Sequence, residues 1–393
     1  MKNFLKFLSW SFTGICLVII LYAFSERHFL IRYFSYNGDP LTNPISWFDP
    51  TEVVNGSKND NLFLVPDDQL TISKSILDEI SLYAESQSSL ALIVVHNGIM
   101  QLEKYWGDAE RSVLFNPQSM SKTVLGILVG IAINEGYIDS VDDSVGKYID
   151  EWNADERGKI TIHQALQMSA GLEQMSTSYD LSIFNKSVRH HFGTNFDKMT
   201  LDLEQNDLPG TKYEYNNEET NLLGIVLERA TDKRYADYLS SRLWKPLELG
   251  DAKMYLDRKN GSVMKSCCIL SRPYDWAKLG SLFIQKGEYN GKTIVPESWI
   301  NQMITPSLNK DFYGLQVWLG SNYIPPKNNN VGVYDSGDPP LYLDDEMIVF
   351  VGFGGQRTWV SPKYNLVIVY ATKHWANAWV EAKIPNSIIS SLQ

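Results

Sequence analysis

Ser119-Met120-Ser121-Lys122-Thr123-Val124-Leu125-Gly126-Ile127-Leu128-Val129-Gly130-Ile131-Ala132-Ile133 is the stretch that decides how this chain folds. Beyond Lys122 it is apolar nearly all round. A helix over residues 119–135 is therefore buried at the centre of a domain, not laid on its surface. Its first turn carries a serine and, one turn on, a lysine on the same face. A helix N-terminus offers free N–H groups and the positive end of the dipole, which favour a developing oxyanion. A lysine acts as a base only when its pKa is lowered, and burial lowers it. The spacing alone carries little, because Ser144–Lys147, Ser262–Lys265 and Ser307–Lys310 repeat it. Only Ser119 opens a long apolar helix. The plainer alternative makes Ser119 an ordinary N-cap and Lys122 a surface lysine.

Strand patterns flank this helix at a distance on both sides. Leu90-Ala91-Leu92-Ile93-Val94-Val95 reads as a strand, Asn97-Gly98 as a tight type I′ turn, and residues 99–106 as the return strand. Before them, Ile72, Ile76, Ile80 and Tyr83 recur on one helical face, with Asp68 or Thr71 as candidate caps. After it, helices are expected at 161–168, 220–231, 235–243, 276–286 and 297–304. Strand patterns return at 347–351, 357–361 and 366–371, and a helix at 379–391 closes the chain. The Pro325-Pro326-Lys327-Asn328-Asn329-Asn330 run is a loop. The expected class is α/β in the α+β sense: a mostly antiparallel sheet built from both chain ends, flanked by helices, with a helical subdomain inserted between. Residues 1–25 form an anchor or signal segment and 26–70 a spacer or wrap. Residues 71–393 form the main domain, its sheet part about 71–115 and 266–393, its helical part about 119–265. A site between the two parts would be a cleft.

Two further elements point to chemistry. Tyr215-Asn216-Asn217 is the only Tyr-x-Asn in the chain and directly precedes a helical pattern. A tyrosine near Lys122 can pass a proton, and the Asn217 amide can hold the lysine or a substrate carbonyl. Gly352-Phe353-Gly354-Gly355-Gln356 lies between two strand patterns, where glycines mark a bulge or a close backbone approach. An edge-strand N–H there, paired with that of Ser119, would complete an oxyanion hole. Read blandly, the first is a loop tyrosine with a capping asparagine, the second a hairpin turn.

Taken together and in this order, the three elements resemble the motifs of the serine β-lactamase and penicillin-binding-protein superfamily. Residues 160–172, 222–228 and 290–299 also resemble its class C-like branch. The similarity runs over about residues 72–390, and the Gly-x-Gly-Gly-Gln element is similar to that of the 6-aminohexanoate-dimer hydrolase type. The resemblance implies that Ser119 is the nucleophile and that Lys122 and Tyr215 are its acid/base partners. It further implies that Gln356 supplies the second oxyanion N–H beside Gly354 and Gly355, and that Tyr179-Asp180 lies near the substrate amide. Where β-lactamases and peptidases of this group carry a Lys or His, this chain carries Phe353, so the cation that would anchor a substrate carboxylate is missing. Arg357, Lys373 and Arg189 are candidate replacements. His190-His191 is not read as a metal site, because adjacent side chains point apart and no suitably spaced acidic or cysteine partner is evident.

Bulk properties narrow the function further. The 393 residues are 44% hydrophobic and 21% charged, a globular composition with enough apolar material for a large core. A net charge of −11 argues against nucleic acid as a partner. Cys16, Cys267 and Cys268 give no disulfide framework. The adjacent pair reads first as two small buried hydrophobes and second as a redox switch. Lys2 and Lys6 precede an apolar run to Phe24 about as long as a bilayer requires. The expectation is an uncleaved anchor in the inner membrane with the domain on the periplasmic, extracytoplasmic side of the cell envelope, or secretion after signal cleavage. The expected activity is a serine hydrolase, an esterase or amidase acting on small-molecule esters or amides, without metal or organic cofactor. A β-lactamase or D,D-peptidase, a membrane-tethered non-catalytic sensor on the same fold, and a lipid-directed acyltransferase stand as alternatives. Oligomeric state is left open.

Overall fold

Apolar alternation in the residues before and after the buried helix builds one antiparallel sheet from the two halves of the chain. The computed structural model describes residues 2–175, 181–320, 342–374 and 380–393, without the side chains of 2–9, 15 and 18–20. Tyr179-Asp180, the Pro325–Asn330 loop and the expected start of the last helix at Trp379 lie outside the described residues. Strand β1 (Thr51–Val54) comes first, then the hairpin β2 (Ser89–His96) and β3 (Ile99–Tyr105). Four short strands follow: β4 (Ala252–Tyr255), β5 (Ile269–Leu270), β6 (Glu288–Tyr289) and β7 (Lys292–Thr293). The rear of the chain supplies β8 (Trp318–Leu319), β9 (Ile348–Val351), β10 (Arg357–Ser361) and β11 (Leu366–Thr372).

The main sheet has the order β3-β2-β11-β10-β9-β8. Front and rear halves meet where β2 pairs antiparallel with β11, Ile93 opposite Val369. Asn97 and Gly98 both take positive φ between β2 and β3, as a type I′ turn requires. The sheet is covered on both faces, so β2 is buried along its whole length. Leu92, Val94 and Ile368 face Leu77, Ile80, Ile384 and Ile388 of the helices Lys74–Ser86 and Lys383–Leu392. Ala91, Ile93, Val367 and Val369 face the other way, toward Leu279 of the helix Pro273–Ile284 and the body of the helix Ser121–Asn134.

That central helix is buried from Ser121 to Ala132. Its glycines are contact points: a Cβ on Gly130 would lie 2.1 Å from the Trp299 indole, which also donates to the Gly126 carbonyl at 3.0 Å. The insertion is not wholly helical: β4 lies within residues 119–265. This strand pairs with β1 on one side and β5 on the other in a separate three-stranded sheet. Strands of two to four residues leave too little alternation to be read from sequence. β1 comes from the N-terminal extension, which is packed onto the domain. Phe29, Trp47 and Phe48 share an aromatic cluster with Phe192, Phe196 and Tyr255. The buried Arg32 guanidinium donates to the carbonyls of Phe48, Asp49, Phe192, Leu256 and Asp257 at 2.7–3.4 Å, riveting the extension to the insertion.

Cys267 and Cys268 are buried, as expected of small hydrophobes, but they are also joined as a vicinal disulfide. The N-terminal run forms the helix Lys2–Ser25. Among the described residues no helix is long and apolar enough to cross a membrane, so the expected anchor finds no support there.

Candidate active site

The turn that carries Ser119 is set by the residue before it. Gln118 is a buried non-glycine residue at φ 54°, and its N–H is held by Asn116 Oδ1 at 2.9 Å. This left-handed position is costly for a side-chain-bearing residue. It ends the approach from Pro117 and starts a 3-10 turn, Gln118–Met120, that runs straight into Ser121–Asn134. Ser119 is left half-buried at the head of the buried helix.

Lys122, one turn later, is 2% exposed. Its Nζ lies 2.9 Å from Ser119 Oγ, 2.8 Å from Asn217 Oδ1 and 2.8 Å from the Ser266 carbonyl oxygen. The last two atoms only accept hydrogen bonds. A neutral amine has two N–H groups and one lone pair. Its two protons satisfy Asn217 and Ser266, and the lone pair is left for the Ser119 hydroxyl proton. Burial pushes the Lys122 pKa down to about 7, with Glu218 opposing the fall. The other three Ser-x-x-Lys pairs are structural. Lys147 is paired with Asp139 and Asp143, and Lys265 with Asp197 and Glu228, while Ser307 and Lys310 form a small β-bridge.

Tyr215 reaches the same point from 96 residues away in sequence. Its phenol faces Ser119, and its ring lies 5.1 Å from Lys122 Nζ. Burial raises its pKa to about 12, with Ser119 and Arg357 opposing the rise, so it carries its proton at neutral pH. The loop holding it is tied to residues 168–174. Gln174 donates to the Tyr215 carbonyl at 2.7 Å, and Asn216 donates to the carbonyls of Leu172 and Glu173. Asn216 also caps the helix Asn217–Thr231, which fixes Asn217 on its first turn facing Lys122. Tyr313 and Trp318 complete an aromatic wall around Tyr215, with ring centroids 6.3 and 5.5 Å away.

The glycine-rich element closes the site from β9. A Cβ on Gly352 would lie 2.2 Å from the Pro117 carbonyl oxygen, so only glycine permits this approach to the Ser119 turn. Gly354 and Gly355 follow at φ 79° and 96°. The Gln356 side chain turns away and makes a two-bond clasp with the Thr372 backbone, at 2.9 and 3.0 Å. Any contact it makes with substrate is thus through its main chain. Arg357 is removed from the candidate anchors: it is fully buried, doubly bonded to Glu381 at 2.6 and 2.7 Å, and supports the carbonyls of Gly352 and Gln356 from below. Arg189 is likewise engaged, with Glu26 at 2.8 Å. Phe353 is 40% exposed at the mouth. Leu41 of the N-terminal extension packs on Gly354, where an added Cβ would lie 2.2 Å from it.

Sequence reading missed the groups behind the lysine. His190 does have an acidic partner, the buried Glu218, whose Oε1 is 3.3 Å from His190 Nδ1. Nothing local signals a contact between residues 28 apart. No group of three or more His, Cys, Asp or Glu suited to a metal occurs among the described residues.

With this geometry in place, the comparisons with known proteins are direct. The Beta-lactamase family model matches residues 81–388. The chain belongs to the beta-lactamase family. This beta-lactamase-family chain is 27% identical over 170 residues to Protein flp of Staphylococcus aureus (strain MW2), 40% of this chain and 33% of that one. It thus covers about a third of the length of the first relatives it matches. It is 24% identical over 291 residues to the 6-aminohexanoate-dimer hydrolase of Paenarthrobacter ureafaciens, 65% of this chain and 67% of that one. Among solved structures it resembles a 6-aminohexanoate-dimer hydrolase homologue from Bacillus anthracis, with a TM-score of 0.70 at 20% identity, covering 89% of this chain and 92% of that one. That likeness bears out the expected fold class.

Proposed function

We propose that this beta-lactamase-family chain is a serine hydrolase that cleaves small ester or amide bonds through an acyl-enzyme on Ser119. The observation that carries the reading is the environment of Lys122: two acceptors take its N–H groups and leave its lone pair for the Ser119 hydroxyl. Ser119 Oγ attacks the carbonyl carbon as Lys122 takes its proton. The oxyanion is held by the main-chain N–H groups of Ser119 and Gln356. Protonated Tyr215 gives its proton to the leaving alcohol or amine and recovers one from Lys122. Water then attacks the acyl carbon by the same proton route in reverse, releasing the acid and restoring Ser119.

The 6-aminohexanoate dimer, for which the Paenarthrobacter relative is named, joins short-chain esters and amides in the substrate screen. Phe353 supplies no cation at its position, which favours uncharged esters and amides over substrates that carry a carboxylate. The basic start and apolar run of the first 25 residues favour export, with the domain outside the cytoplasm. Cell fractionation checks that placement.

The test is labelling with a fluorophosphonate probe, read by intact mass and peptide mapping. Wild type is expected to take one label at Ser119. Ser119→Ala takes none, and Lys122→Ala is slowed by about a hundredfold or more. Labelling elsewhere or none at all sinks the assignment. Capture of ester substrates without turnover would favour the sensor reading instead.

A further inference from the structure

Behind Lys122 lies a polar chain that the proposed acid/base steps do not use. Glu218, the second residue of the helix Asn217–Thr231, is 3% exposed. Its Oε2 accepts from Thr200 Oγ1 at 3.1 Å and from Asn221 Nδ2 at 3.0 Å, and its Oε1 faces His190 Nδ1 at 3.3 Å. Asn221, one turn on, uses its other amide atom: Oδ1 accepts the backbone N–H groups of Lys265 and Ser266 at 3.2 and 3.0 Å. The carbonyl of that same Ser266 receives Lys122 Nζ at 2.8 Å. His190, Thr200, Glu218, Asn221 and Ser266 are all 5% exposed or less.

An ionisable group in a dry interior costs more than apolar packing of the same volume. A buried carboxylate set among neutral donors therefore calls for a reason beyond stability. Resting on the assignment of Ser119 and Lys122 above, we propose that Glu218 and Asn221 are positioning residues for Lys122. Asn221 fixes the Ser266 carbonyl that orients the amine, and Glu218 holds Asn221 while setting a negative charge behind it.

The charges around the pair agree with this. Lys122 faces the Tyr215 ring, and the Glu218 charge works against the fall that burial imposes on the lysine. Glu218 itself faces His190 from the helix Lys186–His191 and Lys122 from the central helix. The nearby buried Lys265 is neutralised by Asp197 and Glu228, so it does not cancel the Glu218 field. His190 Nε2 has no hydrogen-bond partner among the described residues, so the brace ends at that ring.

The experiment follows the rate of fluorophosphonate labelling at Ser119 against pH for the full chain, in wild type, Glu218→Gln and Asn221→Ala. The glutamine keeps the shape and the two accepted hydrogen bonds but removes the charge. Lys122 must be unprotonated to act, so the acid limb of the profile marks its titration. Glu218→Gln is expected to move that limb to lower pH by about half a pH unit or more, with the plateau held within about threefold. Asn221→Ala is expected to lower the plateau by about tenfold or more, with the label still on Ser119. Thermal melting reports whether each variant is folded. A folded Glu218→Gln whose limb coincides with wild type overturns the proposal, and so does a folded Asn221→Ala with an unchanged plateau. If Glu218→Gln does not fold, the Asn221→Ala plateau decides alone. Failure of wild type itself to label Ser119 is a separate outcome, which removes the underlying assignment and this inference with it.

Discussion

At the scale of single residues, burial sets Lys122 against the stability of the fold. Its pKa falls from the ordinary lysine range to about 7. In the unfolded chain the amine holds its proton up to about pH 10.4. Between those two values the unfolded state binds more protons than the native state, so stability rises with pH across the window and falls as pH drops toward 7. Below 7 both states are protonated and the full cost of burying the charge is in force. Lys122→Met removes that cost. The melting temperature of Lys122→Met relative to wild type is therefore expected to be highest near pH 6–7 and to decline steadily toward pH 10. A difference flat across that range would show that the amine is not depressed. The same titration governs chemistry: wild-type labelling at Ser119 should lose its rate below about pH 7, and Tyr215, raised to about 12, should contribute no second limb below pH 9.

At the scale of elements, two glycines decide how closely the central helix and the nucleophile turn are approached. Gly130→Ala gains about 1 kcal/mol of helix propensity. It also drives a methyl into the Trp299 ring, and overpacking of a tight core costs about 1–3 kcal/mol. The clash wins because the indole is held by its bond to the Gly126 carbonyl. Denaturant unfolding is expected to show net destabilisation. Gly352→Ala acts on chemistry as well as stability. Its methyl meets the Pro117 carbonyl, a backbone atom, and displaces the turn that precedes Ser119, so melting should fall and labelling should slow on the order of tenfold to a hundredfold. What sequence showed of these elements follows from range. The central helix was legible from its unbroken apolar run, and the β2–β3 hairpin from Asn97-Gly98. Strands β4 and β5 were not, because β1, the partner of β4, lies some 200 residues away and both runs are too short to alternate. The site divides in the same way. Ser119 and Lys122 share one turn, and Tyr215 announced itself by motif. Glu218, Asn221 and His190 are ordinary polar residues until the fold places them behind the lysine.

At the scale of the whole molecule, the N-terminal extension belongs to the folded unit. Its β1 pairs with β4, Trp47 and Phe48 complete an aromatic cluster, and Arg32 holds five carbonyls from three parts of the chain. Deleting residues 1–25 should leave the melting temperature of the remainder nearly unchanged. Deleting residues 1–70 strips the cover from Phe192, Phe196 and Tyr255 and leaves the carbonyls of Phe192, Leu256 and Asp257 without their donor. Several buried side chains and hydrogen bonds are lost at once, each worth about 1–3 kcal/mol, against a total stability of about 5–15. That shorter chain is expected to aggregate or to lose cooperative unfolding. If it instead melts like the longer one, the extension is a passenger.

Leu41 sits on Gly354, inside the third motif, yet it is contributed by the extension and lies far in sequence from every proposed acid/base group. The extension therefore bears on the glycine-rich element, while Ser119, Lys122 and Tyr215 come from elsewhere in the chain. A randomised library at residues 39–42 changes what covers Gly354, and kcat and KM measured separately on one ester will show whether chemistry or binding responds. Directed evolution of this scaffold has its natural starting point in that four-residue loop.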